Sequence, residues 1–213
     1  MEPTGRDVRA TYDRIAAHFA RTREHAWPEV ESFLDGREAD TALDLGCGNG
    51  RHAELLASRA RRVVGADASG GLLAEARTRA RERAFEVELV QCDAARLPFA
   101  DDSVDLAVYV ATLHHLPTRE ARLDSLNELA RVLGRDGVAL VSAWSTAHDR
   151  FDREEGFDTT VDWTLPGGET VPRFYHIYSP EEFREDVAES ALVPDDVSVS
   201  SGNCYAEVRG RKQ

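Results

Sequence analysis

Three acids stand at intervals that suit one ligand. Asp44 opens the stretch Asp44-Leu-Gly-Cys-Gly-Asn-Gly50, Asp67 follows Val63-Val-Gly-Ala66, and Asp93 follows Val90-Gln-Cys92. Gly46 and Gly48 let a backbone approach a ligand closely, and Gly50 permits tight packing of a following helix. A carboxylate in the position of Asp67 can accept two hydrogen bonds from ribose hydroxyls, and Asp93 stands near where an adenine amino group would lie. A lone glycine-rich turn is a weak signal, and any one acid could be a solvated turn residue. Three acids at the carboxyl ends of three successive strands point instead to an adenosine-bearing ligand. The glycines lack the Gly-x-Gly-x-x-Gly order of dinucleotide turns, which argues against a nicotinamide cofactor.

The elements that must position these acids alternate. Residues 41–45, 62–67, 87–93, 104–111 and 137–145 read as strands. Between them lie helical stretches beginning after Gly50, near Gly71 and at Thr118, the last ending at Gly134. Strands separated by helices of this length give a parallel sheet with helices on both faces. Val8, Tyr12, Ile15 and Phe19 recur at helical spacing, so residues 5–20 read as an amphipathic helix, with a second helix over Pro28–Leu34. Residues 146–178 break the rhythm. They are polar, contain Pro166-Gly-Gly168, and read as a long irregular segment of the kind that covers a site, a substrate lid. Ser179-Pro180-Glu181-Glu182 opens a further helix to about Ala191, and the chain closes in an antiparallel hairpin. No linker divides residues 1–213, so they read as a single domain with a helical cap over 1–40.

The chain has 213 residues, 42% of them hydrophobic, enough for one sizeable core. No apolar run approaches the roughly 20 residues of a membrane span, and the first residues carry no apolar signal region, so a cytoplasmic protein is expected. The net charge is -13, with 26 basic residues of which only Lys212 is lysine. An acidic, lysine-poor surface suits a salt-loving organism, although a GC-rich genome also favours arginine over lysine. Cys47, Cys92 and Cys204 have no Cys-x-x-Cys spacing or neighbouring histidine, and read as free thiols without a metal site in this chain.

The run from Asp44 through Asp67 to Cys92-Asp-Ala-Ala-Arg-Leu-Pro-Phe-Ala-Asp-Asp-Ser-Val-Asp-Leu-Ala-Val-Tyr-Val-Ala-Thr-Leu-His-His-Leu116 resembles the S-adenosylmethionine-binding core of class I methyltransferases, over roughly residues 40–145. The resemblance implies a Rossmann-like α/β fold with a seven-stranded, mostly parallel sheet. It implies that Gly46 and Gly48 face the methionine part of the cofactor and that Asp67 holds the ribose. Asp93 and Ala94 would meet the adenine, Ala111 would lie beside the cofactor, and Asp44 belongs to the same motif.

The flanks resemble the tRNA wobble-uridine carboxymethyl methyltransferases. They do so in Tyr12–Val30, Leu113–Arg122, Ser142–Trp144, Arg173–Glu182 and Gly202–Val208. The segment after Trp144 is short for that family, and the net acidity is unusual for an RNA-binding chain. That family esterifies 5-carboxymethyluridine at position 34 of tRNA. A carboxylate is already ionised at pH 7, so methyl transfer from a sulfonium needs orientation rather than a general base. The planar fork of arginine suits a carboxylate. Arg23 and Arg173 are therefore the candidates for holding it, with His115, Tyr175 and His176 adding hydrogen bonds. Trp27, Trp144 and Phe174 could stack on a flipped-out base. Plainer roles stand beside these: a surface position for either arginine, a helix cap for His115, a core position for Trp144. A small-molecule O- or C-methyltransferase with the same core, and a non-catalytic methyltransferase-fold subunit, are the alternatives.

The resemblance also implies a partner, a small zinc-binding activator subunit that adds a strand beside the sheet to form a heterodimer. The expected edge is Val87–Gln91, where Val87 and Leu89 alternate with Glu86 and Glu88 and the unpaired backbone invites a strand.

Overall fold

The computed structural model describes residues 3–210. Its helices are α1 (Gly5–Thr22), α2 (Pro28–Leu34), α3 (Arg51–Leu56), α4 (Gly70–Arg83), α5 (Arg119–Val132) and α6 (Pro180–Glu189). Its strands are β1 (Ala39–Leu45), β2 (Ala60–Asp67), β3 (Glu88–Gln91), β4 (Val104–Tyr109), β5 (Leu133–Trp144), β6 (Phe157–Thr164), β7 (Thr170–Ile177), β8 (Leu192–Ser200) and β9 (Asn203–Gly210). Seven strands form one sheet in the order β3-β2-β1-β4-β5-β9-β8. The first five run parallel, and β9 enters antiparallel between β5 and β8. Two helical layers cover it, one packing Leu126, Leu129 and Phe183 and the other Phe33, Leu34, Ala53 and Leu56. Burial of these aliphatic and aromatic faces is the main stabilising term.

Strand β1 pairs with β2 on one side and β4 on the other. The strand order reverses there, and the crevice at the carboxyl ends of such strands is where open α/β sheets bind ligands. All three acids of the sequence pattern reach that edge. Asp44 and Asp67 lie at the carboxyl ends of β1 and β2, and Asp93 lies two residues past β3.

Local chemistry explains most boundaries. Thr4 caps α1 in a reciprocal box with Asp7, and Ser179 caps α6 with Pro180 in the first turn. Ser201 and Gly202 both take positive φ, the geometry of a two-residue hairpin turn between β8 and β9. Residues 211 and 212, expected in that last strand, lie outside the described residues.

The structure corrects two expectations. Residues 146–178 are not irregular: β6 and β7 form a separate two-stranded antiparallel sheet. The alternation Val161-Asp-Trp163, with the apolar pair buried and Asp162 exposed, is a strand signal diluted by its solvent-facing acids and threonines. Pro166-Gly-Gly168 is the turn between the two strands. Also, β5 begins at Leu133 and not at residue 137, because buried Leu133 pairs with Val104 ahead of a shift in register.

Candidate active site

A cleft of about 940 Å³ opens above the carboxyl ends of β1, β2 and β4, bounded by α1 and the β6–β7 hairpin. Its floor is the loop after β1. Gly46 has φ +71°, and a Cβ there would collide with the Thr112 side chain, so the loop lies flat against the end of β4. The Gly48 amide donates to Asp67 Oδ2 at 2.9 Å, and the Ser69 amide donates to Oδ1 at 2.8 Å. Asp67 is therefore fixed by two backbone donors with its remaining lone pairs toward the cleft. Burial raises its pKa, while those two amides act in the opposite direction.

Helix α1 is clamped over this floor. Asn49 Nδ2 donates to Ala20 O at 3.2 Å and to Arg23 O at 2.8 Å. Asp13 Oδ1 accepts from Ser69 Oγ at 2.7 Å and from the Gly71 amide at 2.9 Å, which ties α1 to the start of α4. Trp163 of β6 donates Nε1–H to His18 Nδ1 of α1 at 3.0 Å, and Arg14 pairs with Glu169 at the hairpin turn. The hairpin and α1 thus form one wall.

That wall presents a polar cluster. The Tyr12 hydroxyl lies 2.8 Å from His115 Nε2, and His115 Nδ1 lies 3.0 Å from Phe174 O. A carbonyl oxygen only accepts, so Nδ1 carries the proton and Tyr12 donates to Nε2. Burial holds the His115 pKa down to about 3 and that of His114 well below its ordinary value. Both imidazoles are neutral at pH 7. His114 Nδ1 accepts from the Trp144 amide at 2.8 Å, so its proton sits on Nε2. Its ring stacks on Tyr175 at 5.1 Å between centroids.

Arg173 is 7% exposed, and its NH1 donates to the Tyr175 hydroxyl at 2.6 Å. Its guanidinium lies 4.7 Å from the Trp163 ring, its Nε has no partner, and no carboxylate of the described residues lies within 4.0 Å. Arg23 is also without an acid among the described residues; it lies over Phe19 at 5.4 Å and Trp163 at 5.3 Å.

The sequence candidates divide accordingly. Gly46, Gly48, Asp67, Asp93, Ala94 and Ala111 line the cleft, as do Arg23, Trp27, His115, Trp144, Arg173 and Tyr175. Three candidates do not. Asp44 is sealed beneath the loop at 1% exposure with Oδ2 unpartnered, and burial raises its pKa to about 7. Phe174 and His176 lie on the other face of β7, because alternate residues of a strand face opposite sides. There His176 bridges Asp158 at 2.7 Å and Glu182 at 2.8 Å, joining the hairpin to α6. Sequence reasoning misses Tyr12, Asn49, Arg51, Thr112 and His114. Tyr12 is legible only as one apolar position of a helical stripe, and the one signal for His114 is its place beside His115.

The fold and the cleft define a class I S-adenosylmethionine-dependent methyltransferase. A methyltransferase-domain family model matches residues 43–141. A putative methyltransferase of Encephalitozoon cuniculi is 34% identical over 217 residues, covering 96% of this chain and 97% of that protein. The tRNA (carboxymethyluridine(34)-5-O)-methyltransferase of Saccharomyces cerevisiae is 32% identical over 78% of this chain, and that of Mus musculus 34% identical over 68%. The chain spans 59% and 21% of those two relatives. By the likeness to the Encephalitozoon cuniculi protein the chain belongs to a methyltransferase family, and over part of their length it is similar to the tRNA carboxymethyluridine methyltransferases. Among solved structures, the [4+2]-cyclase SpnF superposes with TM-score 0.76 at 18% identity, covering 100% of this chain and 98% of that one. A putative methyltransferase crystallised with the Haloferax volcanii Trm112 activator gives 0.70 at 17%, covering 97% and 98%. Both share the fold.

The cofactor of this class is S-adenosylmethionine, and the residues present fit it. The Gly46 surface leaves no room for a side chain, Asp67 offers fixed acceptors, and Asp93 is exposed just past the end of β3.

Proposed function

We propose that the protein methylates the carboxylate of 5-carboxymethyluridine at the wobble position of tRNA, giving the methyl ester. The observation that carries this reading is Arg173: a buried guanidinium, unpartnered at Nε, with no acid partner among the described residues of a chain holding 39 acids. An unpaired buried cation is costly, so a ligand anion is its natural counter-charge. Arg173 comes from the hairpin wall across from the glycine loop, and the cleft between has room for a nucleoside beside a cofactor.

The bound sulfonium supplies an activated methyl group. The chain's own work is orientation. Arg173 holds the carboxylate through its fork, with Tyr175 fixing the fork and Arg23 adding charge from the α1 side. The neutral His114 presents an Nε2–H to the same space. His115 has both nitrogens engaged, so it braces Tyr12 and the hairpin and does not transfer a proton. Trp27 and Trp144 offer aromatic surface for the uridine ring at the mouth. No proton leaves the nucleophile, because a carboxylate is ionised at the working pH. The hairpin, residues 146–178 in all, acts as the substrate-facing cover of a single domain.

We further propose that a small zinc-binding activator docks at β3. This strand is an edge of the sheet. Beside it lies a 410 Å³ concavity lined by Phe85, Val87 and Leu89 with Arg77 and Arg81. An incoming strand would satisfy the edge and cover those side chains. Leu89→Pro removes a backbone donor there and should abolish co-purification with the activator.

Methyl transfer to an anticodon stem–loop carrying 5-carboxymethyluridine, compared with one carrying the 5-carbamoylmethyl amide, tests the reaction. The acid should be methylated and the amide should not. Equal transfer to both would contradict a carboxylate nucleophile.

A further inference from the structure

The arginines of the cleft outnumber what one carboxylate needs. Five line it: Arg9, Arg23, Arg51, Arg150 and Arg173. Only Arg9 has a carboxylate among the described residues, Asp13 at 3.6 Å. Elsewhere on this acid-rich chain about half of the described arginines are paired, as Arg62 is with Glu88 and Arg131 with Asp101 and Glu128. The acids that line the cleft, Asp67 and Asp93, stand at the ends of β2 and β3, the adenosine side. Charge is thus segregated, with acids where hydroxyls bind and uncompensated cations on the rest.

Two of these cations lie on tryptophans at the mouth. The Arg51 guanidinium is 5.4 Å from the Trp27 ring, and that of Arg150 is 5.8 Å from the Trp144 ring. The two pairs share one lip. Trp144 is paired with Asn203 across β5 and β9, while Trp27 packs on Tyr205, two residues along β9 and on the same face. Burial and the charge of Arg23 pull the Arg51 pKa down to about 10, which marks a cation short of counter-charge.

We propose that the Arg51–Trp27 and Arg150–Trp144 pairs grip the phosphodiester backbone of single-stranded RNA flanking the nucleotide that enters the cleft. This rests on the reading of the substrate as RNA. Arginine beside an aromatic ring is the composition of grooves that follow a single strand, combining phosphate neutralisation with a stacking surface. Stacking also restricts each guanidinium before the RNA arrives, so less side-chain entropy is lost on binding. Arg173, buried where Arg150 is exposed, is left for the carboxylate.

The test is the salt dependence of binding to a 17-nucleotide anticodon stem–loop with plain uridine at the target position. Arg51→Gln and Arg150→Gln are measured singly and together, with Arg135→Gln, exposed at the opposite end of β5, as control. Removing one arginine–phosphate pair should reduce the slope of log K against log salt by about 0.7, so the double variant should fall by about 1.4. The control should keep the parent slope, and affinity for S-adenosylhomocysteine should not change in any variant. An unchanged slope in the double variant, an equal reduction in the control, or a parent that does not bind the stem–loop would overturn the proposal. If the slopes change as expected while the carboxymethyl RNA is never methylated, the RNA lip stands and the proposed reaction fails.

Discussion

The hydroxyl of Tyr12 on α1 and Nε2 of His115 after β4 are 2.8 Å apart, and the same imidazole reaches Phe174 O on β7 at 3.0 Å. One neutral histidine therefore joins the N-terminal helix, the sheet edge and the hairpin. Tyr12→Phe deletes the donor and leaves a buried imidazole nitrogen unpaired. The variant should lose about 1–3 kcal/mol of stability in urea unfolding. Equal stability of variant and parent would mean that this link does not brace the wall.

The buried histidines set a pH dependence. His52 and His115 sit near 3 and His114 well below 6.5, all through burial, whereas in the unfolded chain each takes a proton near 6.5. Below pH 6.5 the unfolded state binds more protons, so stability falls with acidification by about 1.4 kcal/mol per pH unit for each fully contributing histidine. Asp44 opposes this. Its folded pKa near 7 exceeds its ordinary 3.8, so between those values the native state holds the extra proton and stability falls as pH rises. Thermal unfolding from pH 4 to 8 should show a net loss on the acid side. Asp44→Asn should be more stable than the parent above pH 7, and a variant less stable there would contradict the reading of Asp44.

Much of this is legible in the sequence. The acids and glycines fall at strand ends because burial-driven alternation of strand and helix fixes where strands end, and that alternation is a local signal. What is not legible depends on partners far apart in the chain. Tyr175 and His176 are neighbours in sequence, yet one faces the cleft and the other an acid pair, because alternate residues of β7 face opposite sides. Asp44 has the sequence setting of a ligand-facing acid and is a buried one a layer down. The hairpin escapes a sequence reading because half of each strand faces water.

Cofactor affinity should depend on the floor of the cleft. Asp67→Ala removes the acceptor proposed for the ribose and also frees the Gly48 and Ser69 amides. S-adenosylmethionine binding should weaken by about 1.5–3 kcal/mol in calorimetry. Gly46→Ala, which drives a methyl group into Thr112 at a positive φ, should lose binding more completely. Parent-like affinity in both would mean that the cofactor lies elsewhere.

Substrate orientation should depend on Arg173. Arg173→Lys keeps the charge but not the fork, and should lower methyl transfer by roughly 10- to 100-fold while leaving cofactor affinity unchanged. The parent's rate should stay flat from about pH 6 to 8, because the nucleophile is already ionised and both cleft histidines are neutral there. A steep acid limb near 6.5 would instead require a histidine acting as base.

Nucleoside mass spectrometry of tRNA from a strain lacking the gene tests the central claim most directly. The account predicts that 5-methoxycarbonylmethyluridine disappears from the wobble position, that 5-carboxymethyluridine or its amide takes its place, and that the wild-type gene, but not its Arg173→Ala variant, restores the ester. An unchanged level of the methyl ester in the deletion strain would contradict it.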